Sequence, residues 1–126
     1  MNQAMPRETP SRSHLLRDVL TALSEIPGIC GGLIVSPDGL VIASELPAGS
    51  SVEALAALGA TLGRELALGA DRLGRGLVRT GLFAGDGGAI LVGGTPVGFL
   101  LVLGERAIDA EAVRESFRGA LERLRV

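Results

Sequence analysis

The stretch that most constrains this chain is Ser51 to Ala70, SVEALAALGATLGRELALGA. It reads as one long helix. At 100° per residue, Leu55, Leu58, Leu62, Leu66 and Gly69 share a face, the spacing of a helix that packs on a core. Val52, Ala56, Gly59, Ala60, Gly63 and Ala67 form a second stripe of mostly small residues, and a narrow remaining face carries Glu53 and Arg64. A surface helix ordinarily has one apolar stripe with charge opposite it. With two, the Leu face is expected to cover the chain's own sheet. The small stripe is expected to admit a second helix at close range, as small residues do between membrane helices. On that reading Gly63→Leu breaks helix pairing and spares the monomer's core. Three plainer readings stand beside it. The stretch is long enough to cross a bilayer, roughly 30 Å at 1.5 Å per residue, although Glu53, Arg64 and Glu65 are costly in lipid. Its glycines could end or kink the helix. The helix could also be wholly buried in a monomer.

Around this helix the chain divides simply. Residues 1–13 are polar, with two prolines and no periodicity, and read as a flexible tail before a single domain over 14–126. Ser13 is the expected N-cap of a helix from His14 to about Glu25, with Leu15, Leu16, Val19, Leu20 and Leu23 at helical spacing and Pro27-Gly28 as its stop. Ile29–Ser36 and Leu40–Ser44 flank Pro37-Asp38-Gly39, which predicts a hairpin. The first of these strands is apolar at both parities and is therefore expected to be central. Ser50 or Ser51 caps the long helix, and Glu53 suits its positive end.

After the helix, Gly74–Ala84 predicts a third strand, the most polar because of Arg79 and Thr80, as suits an edge. Ala89–Gly93 and Val97–Leu103 follow as strands, and Asp109 caps a closing helix to about Leu124. Short connections make the strands antiparallel. The expected fold class is α/β: a five-stranded antiparallel sheet sandwiched between helices, in the order α-β-β-α-β-β-β-α.

Chemistry is scarce. All twelve basic residues are Arg, so there is no lysine for a P-loop, a Schiff base or a general base. His14 is the only histidine and reads as solvated, leaving no material for a His-based triad or a multi-His metal site. Cys30, the only cysteine, reads as a small core residue in a reducing cytosol. Gly74-Arg75-Gly76 and Gly85-Asp86-Gly87-Gly88 precede strands, where glycine serves turns and bulges, not phosphate loops. A net charge of −2, no Trp or Tyr, and only Phe83, Phe99 and Phe117 speak against nucleic-acid binding. Residues 1–13 lack the apolar core of a secretion signal. These readings predict a cytoplasmic, non-enzymatic protein with no catalytic residue, no metal, no cofactor, no nucleic-acid partner and no membrane insertion.

Ile26-Pro27-Gly28-Ile29, Gly31-Gly32-Leu33-Ile34-Val35-Ser36, Asp38-Gly39-Leu40 and Val41-Ile42-Ala43-Ser44, followed by the small-residue helix, the meander and a closing helix, resemble the Roadblock/LC7 family over about residues 14–124. The resemblance extends to its prokaryotic MglB-like members, regulators of small GTPases. It implies a homodimer formed by pairing second helices and third strands, acting on a Ras-like small GTPase as an activating or scaffolding partner. The helix-pairing candidates it implies are Ala56, Gly59, Ala60, Gly63 and Ala67. The strand-pairing candidates are Val78, Thr80 and Leu82. Glu53, Thr61, Arg64 and Leu68 would form the surface facing the GTPase. The alternative is a small-ligand sensor domain of profilin or PAS type. A structural adaptor in a larger complex is not separable from the first reading by sequence.

Overall fold

The computed structural model describes residues 12–106 and 108–125. The elements follow the expected order: α1 (Arg12–Ser24), β1 (Ile29–Val35), β2 (Val41–Glu45), α2 (Val52–Arg72), β3 (Gly81–Gly85), β4 (Gly88–Thr95), β5 (Gly98–Gly104) and α3 (Ala110–Leu124). Every strand pair is antiparallel, in the order β2-β1-β5-β4-β3. The two strands apolar at both parities, β1 and β5, are interior, as their composition implies; β3 is an edge, although Arg79 and Thr80, on which that expectation rests, precede the strand.

Local signals account for most boundaries. The β1–β2 turn closes through the Gly39 amide donating to the Ser36 carbonyl at 2.9 Å, with Gly39 at φ +92°, a conformation glycine adopts without a Cβ penalty. The Ser51 hydroxyl accepts from the Ala54 amide at 3.4 Å at the start of α2. Asp109 caps α3 by accepting from the amides of Glu111 and Ala112 at 3.2 and 3.3 Å.

Three expectations are corrected. Ser13 is not the cap of α1, because Arg12 and Ser13 are already helical and the residue before them lies outside the described chain; the tail expected over 1–13 is otherwise outside the described residues. The third strand begins at Gly81, not Gly74. The preceding residues run beside β4, close enough that a Cβ on Gly93 would meet the Arg79 carbonyl oxygen at 2.7 Å, yet the ladder starts only at the Gly81–Val92 pair. Cys30 is exposed, not a core residue: the register of β1 against β5 shifts between Ile29 and Gly31, and the irregularity turns its side chain outward.

The sheet is covered on both faces. On one, Leu16, Val19, Leu20 and Leu23 of α1 and Val113, Phe117, Leu121 and Leu124 of α3 pack on Ile34, Leu91, Leu100 and Val102. On the other, Ala56 and Ala60 of α2 pack on Leu33, Val35, Val92 and Leu101.

Candidate functional site

The orientation of α2 decides what the molecule can offer a partner, and it reverses the expected assignment of the two stripes. Ala56, Gly59, Ala60 and Gly63 are the buried residues of the helix, and the chain's own sheet buries them. A Cβ on Gly59 would already be 3.3 Å from Val35 Cγ1, and one on Gly63 would overlap the Phe99 ring. The space between helix and sheet is filled from the sheet side by Val35, Phe99 and Leu101, so only small helical residues fit beneath α2. These four residues are therefore not available to a second helix, and Gly63→Leu would strike the monomer's core first. Ala67, the fifth helix-pairing candidate, is exposed.

The Leu stripe lies on the flank. Leu55, Leu62 and Leu66 are half-buried and Leu58 is 38% exposed. Leu66 reaches the backbone of Gly81, 3.5 Å from where a Cβ would stand, so this flank leans toward β3. Phe83 shares the same sheet face two residues along β3 and is 40% exposed. Leucines at helical spacing, Phe83 and the free edge of β3 thus form one apolar border. Of the strand-pairing candidates only Leu82 lies in β3, and it packs toward the α1/α3 core; Val78 and Thr80 precede the strand.

Glu53, Thr61, Arg64 and Leu68 are all exposed, within an arc of about 80° at 100° per residue. Arg64 lies at the flank away from β3, where its Nη1 donates to the Pro37 carbonyl. The four sit together on the solvent side of α2, which is mixed in character.

Ionisable groups gather instead on α3. The Arg118 guanidinium donates to Glu115 and, at 2.7 Å, to Glu122. The hydrogen bond from Arg118, then its charge, hold the Glu115 carboxyl below the usual carboxylate range. Among the described residues no three His, Cys, Asp or Glu side chains come together as metal ligands, and no helix is long and apolar enough to cross a membrane.

No family model matches the chain. Its backbone, however, superposes on a Roadblock/LC7 domain from Streptomyces avermitilis with a TM-score of 0.75 at 24% identity, covering 85% of this chain and 92% of that one. The chain has the Roadblock/LC7 fold. The same Roadblock/LC7 architecture is found in Myxococcus xanthus MglB, with a TM-score of 0.81 at 16% identity over 94% of this chain and 91% of that one. The gliding protein MglB of Thermus thermophilus gives 0.77 at 17%, over 93% and 90%. By sequence, the proteins MJ1340 and MJ0310 of Methanocaldococcus jannaschii are 29% and 28% identical over 107 residues, covering 85% of this chain and 94% of each of them. The chain therefore matches these two relatives over nearly their whole length.

Sequence reasoning does not anticipate Leu58, Leu62 and Phe83 as part of an incompletely covered apolar border. The signal was present in the Leu periodicity, but that stripe was assigned to the sheet.

Proposed function

We propose that this chain is a non-catalytic interaction module that pairs with a second copy and regulates or scaffolds a Ras-like small GTPase. The observation that carries the reading is the apolar border, Leu58, Leu62, Leu66 and Phe83, beside the unpaired edge of β3. Edge-to-edge pairing of two β3 strands would satisfy free backbone groups and cover Phe83, while the Leu flanks of the two α2 helices meet above the joint. Neighbouring residues 78–80 would gain a strand partner in the same step, which brings Val78 and Thr80 back into the pairing set. The likeness to the MglB structures supports the GTPase as the partner class. Glu53, Thr61, Arg64 and Leu68, left outward by such pairing, are the residues proposed to face it.

The test is binding of Ras-like small GTPases, loaded with GDP or with a non-hydrolysable GTP analogue, to the immobilised chain, together with GTP turnover in its presence. Nucleotide-dependent binding weakened by Leu68→Glu supports the reading. Absence of binding in both nucleotide states across the small GTPases of the source organism would overturn the GTPase assignment.

A further inference from the structure

Next to the proposed pairing border, and sharing Leu66 and Val78 with it, lies a cavity of about 570 Å³, within the range of small-molecule sites. It opens between the C-terminal half of α2, residues 77–78 and the β4–β5 turn. Its walls are mostly apolar, with Leu66, Ala67, Leu77, Val78, Val97 and Phe99 contributing, and among the described residues Arg125 is the one charged residue that lines it. A smaller cavity of about 150 Å³ starts from the same Arg125, on the far side of residues 77–80, and is lined by Arg79, Arg114 and Arg118 together with Glu115 and Glu122. Those two carboxylates are engaged by Arg118, and Arg114 has Glu111 at 3.8 Å. Arg79 and Arg125 have no acidic partner among the described residues. An aliphatic chamber thus ends at a guanidinium with no acidic partner among the described residues. With Phe99 as its only aromatic wall, the chamber offers little to a stacked heterocycle.

We propose that the larger cavity binds a single-chain fatty acid, with the tail between α2 and the β4–β5 turn and the carboxylate on Arg125. Burial of the tail supplies affinity in proportion to apolar area, and the guanidinium selects a carboxylate by a charge-assisted, two-pronged hydrogen bond. The site stands independently of the GTPase reading.

Calorimetric titration of the full chain with decanoate and with decanol tests it. Decanoate should bind one to one and saturably, about tenfold more tightly than decanol, the ratio expected of a surface-exposed charged contact. Arg125→Gln should bring decanoate down to the decanol level and leave decanol unchanged. Ala67→Trp, on an exposed helical position, should abolish binding of both while the circular dichroism stays that of the parent. No heat with millimolar decanoate, equal affinity for decanoate and decanol, or full binding by Ala67→Trp would each overturn the proposal.

Discussion

The two faces of the sheet are covered by different means. Five strands spaced about 4.8 Å apart make a surface about 19 Å wide, and helices pack side by side at about 8–10 Å. On one face α1 and α3 together span that width, with large side chains such as Leu20, Phe117 and Leu124 almost wholly removed from solvent. On the other, α2 alone lies over the middle, seated close because its sheet-facing residues are Ala and Gly. What one helix cannot reach stays partly open: Phe83 on β3 on one side, Val41 on β2, opposite Val35, at the other. A face closed by two helices is a finished core, whereas a face covered by one carries an apolar border, and that border is where a partner gains most by docking.

The largest effect is expected on the closed face. Phe117 is fully buried there, and Phe117→Ala should cost about 3–5 kcal/mol, read as a lowered urea midpoint. An unchanged midpoint would mean the two-helix layer is not the principal core. Gly63→Leu probes the close approach of α2 and should destabilise the monomer by about 1–3 kcal/mol through overlap with Phe99. Full stability in this variant, by the same urea titration, would show that α2 can ride away from the sheet.

Much of this architecture could be read from local signals. Ser51 and Asp109 cap helices, Pro37-Asp38-Gly39 turns the chain, and the doubly apolar β1 and β5 lie inside, because each of these depends on near neighbours or on average burial. The orientation of α2 could not be read so. Large leucines normally mark the buried side of a helix, and here the bulk comes from the opposite layer: Phe99, about forty residues away in sequence, occupies the space a leucine at Gly63 would need. Nor could the late start of β3 be read. Leu77 to Thr80 contain no Gly or Pro that would mark where the ladder begins. The exposure of Cys30 is not legible either, because a register shift of β1 against β5 leaves no mark in composition.

Smaller effects sharpen the contrast between the helices. Asp109 accepts two amide protons at the start of α3 and Ser51 one, at longer range, at the start of α2. Asp109→Ala should therefore lower the thermal midpoint more than Ser51→Ala, by an amount equivalent to about 1 kcal/mol. Equal shifts would contradict the cap geometry. The least effect belongs to Glu115→Gln. Because the folded-state pKa of Glu115 is depressed, its stabilising contribution is present above the unfolded carboxylate pKa and is lost as pH falls through the folded value. Both groups of the pair are solvent-exposed, so at neutral pH the variant and the parent should melt nearly together, and any difference should vanish on acidification. A difference that grew as the pH was lowered would reverse that assignment.

We propose that the open border of the one-helix face joins two copies of the chain. Light scattering at micromolar concentration, on the parent and on Leu58→Glu, tests it most directly, since Leu58 is already 38% exposed and its replacement should leave the monomer folded. The expected result is a parent near twice the 12.9 kDa chain mass and a variant at the chain mass with unchanged circular dichroism. A monomeric parent, or a variant that remains a dimer, would contradict it.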